Sequence, residues 1–161
     1  GELLPAIHAF ALSVMENKPR PSLTWSIDNV TGALTMETMT RPEHVYLRHA
    51  HTLPSQSGTR KDFRLIRANI DCPSMFQVKG QCIQPVLWAG EKIAPTSTKG
   101  GKYTYTASLP APEKGYVAFF LEAKFPGVDI VPFTFTTETS IVPLGFPFPP
   151  CYGEGCLGKL V

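Results

Sequence analysis

The hydrophobic period of this chain changes abruptly at Pro19-Arg20-Pro21. Before that point, apolar residues recur at spacings of three and four, which is the period of one face of an α-helix. The residues on this face are Leu3, Leu4, Ile7, Phe10, Ala11, Val14 and Met15. After that point, apolar and polar residues alternate in short runs, which is the period of β-strands. The pattern predicts one amphipathic helix over residues 1–17, followed by a β-rich domain.

The predicted helix needs a partner for its apolar face. A single helix of this length is only marginally stable in water, and no second helical pattern follows it. We therefore expect residues 1–20 to be the terminal helix and linker of a preceding domain. The chain's own domain is expected to span residues 21–142, followed by a proline-rich tail over residues 143–161.

Strands are predicted at turn-punctuated intervals after residue 21. Ser22–Ile27 alternates strictly, and the Asp28–Gly32 turn leads into a second alternating run, so the two segments should form a hairpin. Further strands are predicted at 44–50, 62–67, 86–89, 103–109, 116–125 and 133–142, with a stapled loop at 69–85. Seven or eight such strands indicate a mostly β fold, an antiparallel immunoglobulin- or fibronectin-like β-sandwich preceded by one helix.

Composition argues against several classes of function. The chain has 161 residues, a net charge of +2 and only 17% charged residues, so no strong field favours a nucleic acid or an anionic membrane. No run of about 18 apolar residues exists to span a bilayer. We expect neither a nucleic-acid partner nor a membrane span.

Four cysteines form two locally spaced couples. Cys72 and Cys82 are separated by nine residues, and Cys151 and Cys156 by four. Four cysteines allow three connectivities. Local pairing is favoured because each couple brackets a turn-rich loop, whereas the gaps do not match the tight paired spacing of structural zinc sites. Disulfides at these positions indicate a protein made through an oxidising compartment.

An N-glycosylation triplet supports the same compartment. Asn29-Val30-Thr31 is such a triplet, and it lies in the predicted turn between the first two strands, where a glycan would be exposed. Such triplets also arise by chance. Together with the paired cysteines, Asn29 favours a secreted, extracellular glycoprotein.

The sequence carries little chemistry of its own. It has no Gly-x-Ser-x-Gly elbow for a serine nucleophile and no phosphate-binding glycine loop. His44, His49 and His51 could bind a metal, but histidines near a strand end are more often polar surface groups. We predict no catalytic residue, no metal and no cofactor, and we take His44, Arg48, His49 and His51 as a candidate polar surface.

Two other clusters have an ordinary and a functional interpretation. Arg60, Lys61, Arg64 and Arg67 could bind an anionic partner, but an edge strand kept soluble by charge explains them as well. An aromatic set could form a sugar-stacking platform, although inward positions favour core packing for most of it. The set comprises Trp25, Tyr46, Trp88, Tyr103 and Tyr116.

Four blocks of the chain, in the same order, resemble the C-terminal part of a known family, the PhoPQ-activated pathogenicity-related proteins. The same family includes the autocrine proliferation repressor A proteins of eukaryotes. The blocks are Pro42–Ala50, Lys61–Arg64, Gly115–Glu122, and Phe133–Glu138 with Val142-Pro143.

The resemblance implies an α/β-hydrolase-like domain upstream, followed by a small β-sandwich. It places the hydrolase-type serine, acid and histidine before residue 1, so none of them falls on a position of this chain. It also implies secretion, an upstream hydrolase-like domain or chain as partner, and a protein receptor. Three roles stay open: a non-catalytic region for recognition or inter-domain packing, an accessory domain at the mouth of a hydrolase active site, and a carbohydrate-binding module.

Overall fold

The computed structural model describes residues 3–53, 61–67, 76–128 and 131–145. Within these residues the chain forms one α-helix, one 3-10 helix at Lys99–Gly101 and eleven strands. The elements are α1 (Leu3–Met15), β1 (Leu23–Ile27), β2 (Leu34–Thr38), β3 (His44–His51), β4 (Ile66–Arg67), β5 (Phe76–Val78), β6 (Gln81–Ile83), β7 (Ala89–Lys92), β8 (Tyr103–Ala107), β9 (Val117–Val128), β10 (Val131–Thr136) and β11 (Ser140–Val142).

The strands form three antiparallel sheets. Sheet A has the order β1-β2-β8, and sheet B has the order β10-β9-β3-β7, with β11 also paired to β9. Sheet C is the small β4-β6-β5 sheet. The prediction of a mostly β chain with one N-terminal helix and antiparallel strands is confirmed. The immunoglobulin- or fibronectin-like strand order stays a prediction, as do the boundaries at residues 20 and 142.

The β1–β2 hairpin forms as its turn residues predict. The Asp28 carboxylate accepts hydrogen bonds from the backbone N–H groups of Val30 (3.0 Å) and Thr31 (2.6 Å), and from the Thr31 hydroxyl. The Gly32 N–H then donates to the Asp28 carbonyl at 2.9 Å. Because the aspartate satisfies the turn's own backbone donors, the chain reverses tightly enough to pair Ile27 with Leu34.

The hydrophobic core is built on β9. This strand lies between β3 and β10, and its Phe119, Leu121 and Phe125 side chains are fully buried. Leu34 and Met36 from sheet A belong to the same buried cluster. Residues on the other face of β9 are also largely buried, so the prediction of a central strand covered on both faces is confirmed.

Several predicted segments differ from the structure. The strand expected at 62–67 is limited to Ile66–Arg67, and the strand expected at 133–142 is divided into β10 and β11. Val86–Ala89 was expected to be a strand, but β7 begins only at Ala89, and Leu87 is 73% exposed. The Val86 N–H donates to the carbonyl of Gln84, two residues back, so a tight turn occupies this apolar run. Conversely, the predicted loop contains the β5–β6 hairpin, whose two turn residues Lys79 and Gly80 both have positive φ.

The helix α1 packs on sheet B through Ala9, Ser13 and the half-buried Leu12. Ala9 is fully buried and Ser13 nearly so, and the helix lies against β10 and β9. The Ser13 hydroxyl donates to the carbonyl of Phe10 at 2.7 Å, which satisfies it inside the contact. At the C-terminus, Asn17 has a φ of 52°, and the Lys18 N–H donates to the Ser13 carbonyl at 2.9 Å. This left-handed cap ends the helix one turn before the β-domain.

Candidate functional site

The predicted polar surface on β3 is divided between the two faces of sheet B. His44 and Arg48 lie on the outer face, whereas His49 and His51 share the face of Val45 and Leu47. The imidazoles of the half-buried His49 and the exposed His51 contact each other edge to face, with ring centroids 6.1 Å apart. The expectation that residues 49 and 51 share a strand face is confirmed, but the four side chains do not form one surface. Strict alternation along an unbroken strand is the physical reason.

Arg48 is committed to a contact across three strands. Its Nη2 donates to the Glu122 carboxylate on β9 at 2.7 Å, and its guanidinium lies 4.9 Å from the ring centre of Tyr46. On β7, Gly90 leaves the space that the Arg48 side chain occupies, because a Cβ there would collide with the guanidinium. Glu122 is 8% exposed. Arg48 therefore neutralises a nearly buried carboxylate, and this contact holds its guanidinium on the sheet.

Replacing Arg48 with alanine should lower the free energy of unfolding by about 1–2 kcal/mol, because Glu122 would keep its charge without its partner. Urea denaturation measures this loss. The double variant Arg48→Met with Glu122→Leu should recover most of it, since neither charge then remains. The matched change His44→Ala, on the same face of β3, should have an effect within about 0.5 kcal/mol. Equal losses in Arg48→Ala and His44→Ala would contradict this role.

His49 and His51 do not complete a metal site in the described residues. No group of three or more histidine, cysteine or acidic side chains is placed there to hold a metal ion. The Nδ1 atom of His49 is buried and makes no hydrogen bond within this part of the chain. His49 and His51 thus supply two imidazoles, and the structure adds no third ligand from the residues it describes.

The described residues include only some of the predicted cysteine and glycosylation positions. Cys82, on β6, is 3% exposed and disulfide-bonded, but Cys72, Cys151 and Cys156 lie outside the described residues. The pairing of Cys72 with Cys82 and of Cys151 with Cys156 therefore stays a prediction, and so does most of the tail. Asn29 is exposed in the β1–β2 turn, and its glycosylation stays a prediction.

The basic run contains an ion pair. The Arg64 guanidinium holds the Asp62 carboxylate through two hydrogen bonds of 2.9 Å, and the Gln84 amide also donates to it. The side-chain hydrogen bond from Arg64 is the main reason why the pKa of Asp62 falls to about 2. Lys61 lies over the ring of Tyr116. Arg60 lies outside the described residues, so the prediction for the whole basic cluster stays a prediction.

The aromatic residues divide between core and surface. Tyr116 is buried, as expected, but Trp25 is 45% exposed and Trp88 is 40% exposed. Trp88 packs against Phe120 and Phe63, with ring centroids 5.2 and 6.1 Å away. Trp25 belongs to sheet A, whereas Trp88 leads into β7 of sheet B. The two tryptophans therefore lie on different sheets rather than on one platform.

Apart from Leu12, which packs against the core, the large apolar side chains that α1 presents are exposed. We call this surface the α1 face, and it comprises Leu4 (77% exposed), Ile7 (55%), Phe10 (54%), Val14 (59%) and Met15 (81%). Arg20 covers part of it, with its guanidinium 4.7 Å from the ring centre of Phe10. The predicted apolar face thus exists, but it is not the face that packs on this domain.

An apolar groove extends the α1 face onto sheet B. The groove has a volume of about 680 Å³ and lies between the helix and the start of β10. It is lined by Leu4, Pro5, Ile7, His8, Val131 and Pro132. Sequence reasoning missed the contribution of β10, because the pairing of β9 with β10 brings these residues beside the helix. The small Ala9 and Ser13, one turn apart, were the available signal of a close helix-to-sheet contact.

The described part of the chain has no helix with the length and apolar character needed to cross a membrane. No family model matches the sequence, and no solved structure matches it. A search of curated proteins finds autocrine proliferation repressor protein A of Dictyostelium discoideum, 31% identical over 159 residues. The match covers 93% of this chain and 30% of that protein, so the chain spans less than a third of its relative's length. This chain is therefore homologous to a part of autocrine proliferation repressor protein A.

Proposed function

We propose that this chain is a non-catalytic docking region of a secreted polypeptide related to autocrine proliferation repressor protein A. In this proposal the α1 face packs against the remainder of that polypeptide, and residues 21–142 form an immunoglobulin- or fibronectin-like sandwich behind it. The observation that carries the proposal is a helix fixed to sheet B on one side while its large apolar side chains lie exposed on the other.

The energetics favour a partner for this face. Burying one Leu, Ile, Val or Met side chain contributes about 1.5–3 kcal/mol, and the α1 face presents four of them at more than half exposure. Because Ala9 and Ser13 already anchor the helix to sheet B, docking needs no folding of a separate segment. A preformed apolar face of this kind is typical of a binding surface rather than of an isolated domain.

The remainder of the polypeptide is the occupant that best fits this surface. The homologous protein is more than three times as long as the matched region, which leaves ample chain for a second domain. The family resemblance makes that domain α/β-hydrolase-like, with α1 packed as its last helix. Under this proposal α1 is shared by two bodies, contacting the sheet with Ala9, Leu12 and Ser13 and the upstream domain with the α1 face.

The same proposal assigns the chemistry elsewhere. Serine-hydrolase groups would lie in the upstream domain, and secretion, the two disulfides and a glycan on Asn29 would belong to the extracellular form. Arg48 is held by Glu122, which argues against a role at the mouth of a substrate path. A sugar platform built from Trp25 and Trp88 is disfavoured because they lie on different sheets.

The docking role can be tested with the double variant Leu4→Asp and Met15→Asp in the full-length protein. Two buried charges in place of apolar contacts should abolish packing between the domains, so one cooperative thermal transition should separate into two. In the isolated chain, the same variant should keep its melting temperature and become more soluble, since both residues are exposed there.

The matched control is Met39→Asp, which changes an exposed methionine (64% exposed) outside the α1 face. It should leave the single transition of the full-length protein intact. An unchanged transition in the double variant would refute docking through α1. Hydrolysis of an ester or peptide by the isolated chain would refute the non-catalytic assignment.

A further inference from the structure

A second cavity lies at the start of β3, beside the segment that passes from β7 of sheet B to β8 of sheet A. It has a volume of about 670 Å³, which is within the usual range of small-molecule sites. We call it the tyrosine cleft. Its charged and aromatic lining comprises Arg41, Glu43, His44, Lys92, Tyr103 and Tyr105. These side chains come from the loop before β3, from the end of β7 and from β8, so three parts of the fold converge on it.

Tyr105 is the informative residue in this cleft. The residue as a whole is 4% exposed, but its hydroxyl is not among the buried polar atoms that lack a partner. The hydroxyl makes no hydrogen bond with the described residues, so the phenol oxygen is accessible in the cleft and can bond to water or to a ligand. Burial, followed by the neighbouring Tyr103, raises the pKa of Tyr105, while Arg41 acts in the opposite direction. The phenol is therefore neutral near pH 7 and can both donate and accept a hydrogen bond.

The charges in the tyrosine cleft favour an anion. Arg41 and Lys92 form no ion pair within the part of the chain that is described, and Glu43 is the single carboxylate among the lining residues. A guanidinium binds a planar carboxylate or a sulfate through two parallel hydrogen bonds. An unpaired arginine beside an unpaired phenol thus suits a ligand that carries both an acid group and hydroxyl groups.

We propose that the tyrosine cleft binds an acidic saccharide unit. Its acid group contacts Arg41 and Lys92, its ring hydroxyls bond to Tyr105, and its apolar face lies on the half-buried ring of Tyr103. Uronic acids and sulfated sugars share this chemistry. This site is separate from the α1 face, and the docking role neither requires nor excludes it.

An NMR titration of the isotope-labelled chain tests the proposal with three probes: glucuronic acid, glucose 6-sulfate and glucose. Either acidic sugar should shift the amides of Arg41, Tyr103 and Tyr105, with a dissociation constant of about 1 mM, as expected for a small polar ligand. A shift by only one of the two identifies the acid group. Glucose should bind about tenfold more weakly, because it lacks the charge-assisted contact.

Three variants complete the test. Arg41→Gln should weaken binding of the acidic sugars about tenfold, and Tyr105→Phe, which keeps the ring and its packing, should weaken it several-fold. Lys18→Gln removes a cation outside the cleft and should change nothing. Equal binding of glucose and glucuronic acid, shifts centred on Trp25 or Trp88, or full affinity in Arg41→Gln would each overturn the assignment. Absence of binding by all three sugars would also overturn it.

Discussion

Replacing Gly127 with alanine should lower the free energy of unfolding by about 3 kcal/mol or more. Gly127 lies near the end of β9, where the register with β10 shifts between Val131 and Phe133. A Cβ at this position would collide with the backbone carbonyl of Val131. Because backbone atoms rather than a flexible side chain oppose the new methyl group, the strand pair must move. Chemical denaturation of the two proteins measures the loss.

The matched control is Gly90→Ala, another glycine within sheet B. There the new Cβ meets the Arg48 side chain, which can change rotamer, so the expected loss is about 1 kcal/mol. The Gly127 variant should also disturb the apolar groove, since Val131 and Pro132 line it. If both glycine variants lose the same stability, the close approach of β9 and β10 is not what requires glycine at residue 127.

The change Ala9→Glu should detach α1 from sheet B. Ala9 is fully buried against the sheet, so a carboxylate there would be removed from water. The helix must leave the sheet or the domain must lose about 3 kcal/mol of stability, because an unpaired buried charge costs at least that much. A helix of 13 residues without its support is marginal in water. The loss of helical circular dichroism, together with a lower unfolding midpoint, would report the detachment.

The control for this change is Ala11→Glu, which makes the same substitution two residues later on the exposed side of the helix. Its effect should stay within about 0.5 kcal/mol. Comparable losses in the two variants would mean that the helix does not contact sheet B through Ala9 and Ser13. The opposite order would place the large apolar residues, rather than the small ones, against the sheet.

Local signals in the sequence were sufficient for several elements. The Asp28–Gly32 turn carries its own hydrogen-bonding residues, so the sequence predicts it. The run at the start of β9 is apolar on both faces, whereas a half-buried strand would alternate, so the sequence also predicts a central strand. The strand predicted at Val86–Ala89 is wrong for all but its last residue, because an apolar run does not determine its own pairing. Leu87 and Trp88 reach the surface, and β7 pairs with β3 only from Ala89 onward.

The candidate site shows the same division between local and tertiary information. The helical period correctly predicted an apolar face on α1, but hydrophobicity alone could not say which side contacts the sheet. The small Ala9 and Ser13 permit a close helix-to-sheet contact beside Leu12, whereas Leu4 and Met15 stay exposed. In the tyrosine cleft, Arg41 and Tyr105 lie close together although 64 positions separate them in the sequence. Their proximity depends on how the strands pair, which the sequence pattern does not show.

The rate of oxidation of Met15 by peroxide, followed by peptide mass spectrometry in the full-length protein and in this chain, tests the docking account most directly. Met15 is 81% exposed here, Met39 is 64% exposed, and Met36 is fully buried, so the chain contains its own reference residues. In this chain Met15 and Met39 should oxidise quickly and Met36 slowly. In the full-length protein, docking predicts that Met15 becomes as slow as Met36 while Met39 stays fast. Equal, rapid oxidation of Met15 and Met39 in the full-length protein would contradict the account.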